Sequence, residues 1–108
     1  MASPAFAVKT TGMRVVVVKT DDVAGYLQLL EKGKEIMKNI GITGTVRVWR
    51  ATFAGPNAGN IIVAIEFPDM NAFADAESKT RTDGNYQAWL GEMAKNRTII
   101  SDSLYTEL

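Results

Sequence analysis

Apolar and polar positions along this chain fall into two rhythms that alternate with one another. Arg14-Val15-Val16-Val17-Val18-Lys19 is β-branched, which favours a strand. Asp21 and Asp22 follow as helix N-caps. Val23, Leu27, Leu30, Met37 and Ile40 then recur on one side of a helix of about five turns, with Glu31, Lys32, Glu35 and Lys38 largely opposite. Gly41 is the expected stop. Gly44 to Phe53 alternates and predicts a strand, and Ala54-Gly55-Pro56-Asn57-Ala58-Gly59 predicts a turn-forming loop. Ile61 to Phe67 is a further strand, closed by Pro68. Asp69 caps a helix that carries Phe73, and Thr82-Asp83-Gly84-Asn85 interrupts it. A second helical piece presents Tyr86, Trp89, Leu90 and Met93 on one face, and Thr98 to Thr106 is the last strand. The predicted order is βαββαβ, with the second helix broken.

The two halves echo each other. Val16, Val18, Asp22 and Tyr26, moved forward by 47 positions, land on Val63, Ile65, Asp69 and Phe73. A lone βαβ unit cannot cover its own sheet, so the two interleave. Right-handed crossovers then give an α+β fold of the ferredoxin-like type, with an antiparallel sheet in the order 4-1-3-2 and both helices on one face. Strands 1 and 3 become central, and they are the continuously apolar ones. Strands 2 and 4 become edges, and they carry Arg47, Arg50, Ser101, Asp102 and Ser103. Residues 1–12 read as a flexible lead-in, and 13–108 as one ferredoxin-like domain.

If the helices cover one face of the sheet, the other should be polar. Val15 and Val17 lie on one side of strand 1, Val16 and Val18 on the other. Ile62 and Ala64 likewise oppose Ile61, Val63, Ile65 and Phe67 on strand 3. Both faces are therefore apolar, and an exposed patch on the order of several hundred Å² is what monomers avoid. A second copy of the chain would cover it, closing two sheets into an α/β barrel. Pairing Phe53 with Asn60 across the loop sets Arg47 opposite Glu66 and Trp49 opposite Ala64. The expected dimer interface is Arg47, Trp49, Ile62, Ala64 and Glu66. An even register slip would exchange these partners but keep the faces, and an odd slip would set Glu66 among the core residues.

Composition narrows the chemistry. The chain has 108 residues, 12 Lys+Arg against 12 Asp+Glu, and neither Cys nor His. Zero net charge leaves no electrostatic footprint for nucleic acid or an anionic membrane. Without Cys and His there is no thiolate nucleophile, no Ser-His-Asp triad and no imidazole-bound metal or haem, so no metal or cofactor is expected. RNA-binding users of this layout need aromatic and basic residues on strands 1 and 3, and Val15–Val18 and Ile61–Ile65 provide none. The longest apolar run, Val15 to Val18, is too short to span a bilayer. Ala5-Phe6-Ala7 mimics a leader cleavage site without the charged start or apolar stretch a leader needs, so the cytoplasm is the expected compartment.

The stretch Ile62-Val63-Ala64-Ile65-Glu66-Phe67-Pro68-Asp69-Met70-Asn71-Ala72-Phe73 resembles the join of strand 3 to helix 2 in small families of the dimeric α/β-barrel superfamily. Asn85-Tyr86-Gln87-Ala88-Trp89-Leu90 is similar to their second helical piece. The resemblance implies two sheets closing a barrel between protomers and a cleft in each protomer between sheet and helices. Members include antibiotic-biosynthesis-type and haem-degrading monooxygenases, muconolactone-type isomerases and NIPSNAP-like proteins. The monooxygenases carry Asn on strand 1, Trp at the end of strand 3 and, in haem degraders, His on helix 2. This chain has no Asn on strand 1, Phe67 at the Trp position and no His.

Several residues are candidates for a site. Arg50, by alternation on the helix-facing side of an edge strand, would anchor a carboxylate or phosphate through its planar fork, or else snorkel to solvent. Phe67, Tyr86 and Trp89 would wall an apolar pocket, or else fill plain core. Gly33, on the inner stripe of the first helix, implies close packing or a cavity against the sheet. Glu66 would be a general base or the partner of Arg47. Together they predict a homodimer that binds a small, largely apolar molecule in the sheet–helix cleft, with cofactor-free isomerase- or monooxygenase-type chemistry open to it. A dimerisation or ligand-sensing module with a filled core is the alternative.

Overall fold

The computed structural model describes residues 11–53 and 55–108; most of the expected lead-in lies outside them. The elements are β1 (Gly12–Lys19), α1 (Val23–Asn39), β2 (Thr45–Arg50), a 3-10 turn (Gly55–Asn57), β3 (Ile61–Phe67), α2 (Met70–Thr82), α3 (Gly84–Asn96) and β4 (Thr98–Thr106). The sheet runs β2-β3-β1-β4, all neighbours antiparallel, which is the expected 4-1-3-2 order read from its other edge. The fold is the ferredoxin-like α+β arrangement. β1 starts at Gly12, and Glu107 N–H donates to the Thr11 carbonyl at 2.9 Å, so the sheet begins slightly before the expected position.

Local chemistry sets the helix ends. The Asp22 carboxylate accepts from Gly25 N–H at 3.0 Å and Asp69 from Ala72 N–H at 2.8 Å, each capping the helix that follows it. Asp83 serves two helices. Its own N–H closes α2 on the Lys79 carbonyl at 3.1 Å, and its carboxylate opens α3 by accepting from Tyr86 N–H at 2.8 Å. The break expected at Thr82–Asn85 is thus one residue sharing a stop and a start.

The core sits between the helices and one face of the sheet. Val16, Val18, Ile61 and Val63 meet Tyr26, Leu30, Trp89 and Met93 there. α1 is rotated from its predicted orientation: Tyr26, Leu30 and Gly33 are buried, while Leu27 is 41% exposed. The reason is tertiary. Trp89 of α3 lies against the bare backbone at Gly33, so the helix turns that side inward. Gly33 therefore reflects close packing against a neighbouring helix rather than against the sheet.

The β2–β3 hairpin corrects the predicted register. Ala51 N–H donates to the Asn60 carbonyl at 2.9 Å and Gly59 N–H to the Ala51 carbonyl at 2.7 Å, so Thr52 and Phe53 belong to the loop. Gly59, at φ +87°, supplies the left-handed backbone that closes it. The register slips by two: Arg47 faces Ala64, Trp49 faces Ile62, and Glu66 faces Thr45. Arg47 and Glu66 keep one face as diagonal neighbours, and among the described residues no ion pair joins them. The predicted faces survive because side chains alternate with period two. Ile61, Val63 and Phe67 are buried toward the helices, while Trp49 on the opposite face is 57% exposed. Met13 and Tyr105 pair across β1 and β4 on that same open face, around Val15, Val17, Ile62 and Ala64. A bulge between Val17 and Val18 leaves Ile100 unpaired on β4.

Candidate functional site

The helices do not close completely on the sheet. A cleft of about 240 Å³ remains, with Val16, Val63 and Ile65 as its floor and Leu30, Tyr86 and Trp89 as its walls. Met37 stands at its other end, beside a broader depression that carries Lys34 and Lys38. The apolar floor follows directly from strand alternation.

The same alternation brings charge to the cleft. Arg14 lies two residues before Val16, so it shares the helix-facing side of β1, and Asp102 is the β4 partner of Val16. The Arg14 guanidinium grips Asp102 with Nε–Oδ1 at 2.9 Å and Nη2–Oδ2 at 2.6 Å. Its Nη1 reaches Glu77 Oε1 of α2 at 3.3 Å. This fork is bidentate and charge-assisted, the strong form of the interaction. It holds the Asp102 carboxyl below its ordinary range, through that hydrogen bond first, although burial works against it. The Arg14 guanidinium is correspondingly raised.

Arg97, two residues before Ile99 on β4, is the second cation lining the cleft. Its Nη1 donates to the Tyr26 hydroxyl at a long 3.4 Å. Its Nε is buried and, among the described residues, has no partner. Burial raises the phenols of Tyr26 and Tyr86, with the positive charge of Arg97 opposing the shift in both cases. Both phenols stay protonated at neutral pH, as donors rather than bases. Asp102 at the cleft and Glu77 at its edge on α2 are both engaged by Arg14. The arrangement therefore suits binding and hydrogen-bond donation better than proton abstraction.

Trp89 is fixed as a wall. Its Nε1–H donates to the Leu29 carbonyl at 2.7 Å, and its ring leans on Tyr86 with centroids 5.2 Å apart. Phe67 is buried edge-on against Phe73 at 5.4 Å and closes a narrow recess next to the cleft, which Arg14, Glu77 and Tyr86 also line. Tyr86 and Trp89 line the cleft, whereas Phe67 lines only the recess, which it shares with Tyr86. Arg50 lies apart from them. It is exposed at the last position of β2, opposite Ile61, and lines neither the cleft nor the recess. The cations missed at sequence level are Arg14 and Arg97. Arg14 was legible from period two, since Arg14, Val16 and Val18 share a side; Arg97 was not, because the bulge at Ile100 switches the side of the residues before it on β4. Among the described residues no group of three His, Cys, Asp or Glu is placed to hold a metal ion, and no helix is long and apolar enough to cross a membrane.

No family model matches the chain, and no curated protein matches it by sequence. Solved structures do match it in fold. A NIPSNAP family protein from Agrobacterium tumefaciens aligns with a TM-score of 0.67 at 16% identity, covering 92% of this chain and 83% of that one. A second NIPSNAP family protein of unknown function from the same organism aligns at 0.66 and 14% identity, covering 94% and 87%. A conserved protein of unknown function from Bacteroides thetaiotaomicron, described as a possible oxidoreductase, aligns at 0.65 and 5% identity, covering 92% and 99%. At these identities the likeness is one of fold, and it is the fold that the βαββαβ pattern predicted.

Proposed function

We propose that this protein is a homodimer that binds a small, largely apolar molecule in the cleft between its sheet and its helices. The observation that carries this reading is the cleft itself. An apolar floor, two aromatic walls and a few convergent polar groups are the usual makeup of a small-molecule site. A filled core, the rival account, would leave no such space. Tyr26 and Tyr86 are the groups available for acid chemistry, as proton donors; isomerase- or monooxygenase-type turnover would depend on them, since the nearby carboxylates, Asp102 and Glu77, are held by Arg14. NMR titration with neutral aromatic fragments should move the resonances around Leu30, Tyr86 and Trp89. Shifts confined to other surfaces, or none, would refute the cleft as the site.

The open sheet face supports a second copy as its occupant. Trp49, Met13 and Tyr105 surround the small apolar centre of Val15, Val17, Ile62 and Ala64. Arg47 and Glu66 share this face unpaired with each other, so a two-fold axis could bring each against its opposite on the other copy. The protein should sediment as a dimer at micromolar concentration. Trp49→Asp or Ile62→Asp, which would bury an unpaired charge, should give a folded monomer. A wild type that stays monomeric when concentrated would refute this assembly.

A further inference from the structure

Four charged side chains meet the cleft and its recess: Arg14, Glu77, Arg97 and Asp102. They sum to zero but are unequally shared. Arg14 holds two carboxylates, at 2.6 Å and 3.3 Å. Arg97, among the described residues, forms no ion pair. A guanidinium presents five N–H donors in a rigid fork. Of those on Arg97, one makes the long contact to the Tyr26 hydroxyl, and the Nε–H is shut away from solvent without an acceptor. A buried donor without a partner is costly, and a partly buried cation without a counter-charge more so. Among the described residues no carboxylate pairs with it, although Asp102 lines the same cleft and lies close enough to feel the Arg97 charge.

We propose that Arg97 is the anion anchor of the cleft, and that the ligand is a monocarboxylate with an aromatic or aliphatic body. This rests on the cleft being the binding site and adds the chemical class of what enters it. The carboxylate takes the Arg97 fork, with the Tyr26 hydroxyl beside it, and the body lies along Tyr86 and Trp89. Size follows from volume. About 240 Å³ equals roughly eight waters at 30 Å³ each, so a body about the size of a phenylpropyl group fits. Charge follows from the Arg14 end, where two carboxylates share one guanidinium. A dianion such as a phosphate monoester would add to that negative excess, whereas a monoanion matches the single unpaired cation.

The test uses 3-phenylpropionate and 3-phenylpropanamide, which differ only in the charged group, titrated calorimetrically into wild type, Arg97→Gln and Arg97→Lys. Wild type should prefer the acid by about 10- to 100-fold, the effect of one charge-assisted hydrogen-bonded pair. Arg97→Gln should bring the ratio near one, chiefly by weakening the acid, with a much smaller loss for the amide. Arg97→Lys, which keeps the charge and loses the fork, should fall between them. In wild type, with no substitution to disturb folding, the Arg97 Nε–H NMR resonance should move with the acid and stay in place with the amide. Equal binding of acid and amide to wild type would overturn the anchor and leave the cleft as a site for neutral molecules. An acid preference that survives in Arg97→Gln would place the anchor elsewhere, at Arg14 of the same cleft or at Lys34 and Lys38 of the neighbouring depression, and overturn it too. Binding of neither compound would overturn both the anchor and the site.

Discussion

Replacing Gly33 by Ala normally stabilises a helix, by about 1 kcal/mol. Here the sign should reverse. A Cβ at Gly33 would overlap Cζ2 of the Trp89 indole and lie 2.5 Å from Cε2 and 2.7 Å from Cη2. The indole cannot swing away freely, because its Nε1–H is bonded to the Leu29 carbonyl at 2.7 Å and its ring packs against Tyr86. Overpacking of this kind costs about 1–3 kcal/mol, and forfeiting the hydrogen bond adds about 0.5–1.5. Set against the gain in propensity, the net loss is about 1–3 kcal/mol. For a chain of this size that lowers the Tm by roughly 5–20 °C. Gly91→Ala is the matched control. Gly91 lies exposed on α3 with open space where a Cβ would go, so it should gain about 0.5–1 kcal/mol. Urea unfolding followed by far-UV circular dichroism and by tryptophan fluorescence would measure both variants. In a Trp89→Leu background the penalty at Gly33 should largely vanish, as expected for two residues in direct contact. If Gly33→Ala stabilised the protein as much as Gly91→Ala does, the packing of Trp89 on α1, and with it the wall of the cleft, would be wrong.

Two further outcomes concern charge and capping. Asp102 is held below its ordinary value of 3.8 by Arg14, so its contribution is present above that value and lost as pH falls through the lower folded one. The stability gap between wild type and Asp102→Asn should therefore be constant at neutral pH and narrow below about pH 4; because the pair is about a third exposed, the gap should not exceed about 1 kcal/mol. A gap that widened on acidification would contradict the pairing. Asp83→Ala should cost about 1 kcal/mol by removing the cap of α3, while Asp83→Asn, which keeps an acceptor, should recover most of it; equal losses in urea unfolding would show that the cap at Tyr86 N–H is not what matters.

The sequence by itself determined the elements, their order and the two faces of β1, β2 and β3. These depend on short-range physics. Backbone preference, caps such as Asp22, Asp69 and Asp83, and the period-two alternation are each read within a few residues. The same alternation carries Arg14 to the helix-facing side of β1, but on β4 the bulge at Ile100 puts both Ile99 and Asp102 on that side, so the side taken by Arg97 is not read from period two. Partnership was decided by tertiary structure. The β2–β3 register turned on how the loop from Thr52 to Gly59 closed, and a loop one pair longer moves every cross-strand partner by two without moving any residue to the other face. The inner side of α1 turned on Trp89, sixty residues away in hydrogen-bonding contact, settling over Gly33 and leaving Leu27 exposed. Arg50 and Arg97 share a chemistry and the helix-facing side of the sheet. Only the tertiary packing of the helices on the sheet puts one of them at a cleft and leaves the other in water, because a cleft exists where two elements fail to meet, and no single segment of the chain encodes that gap.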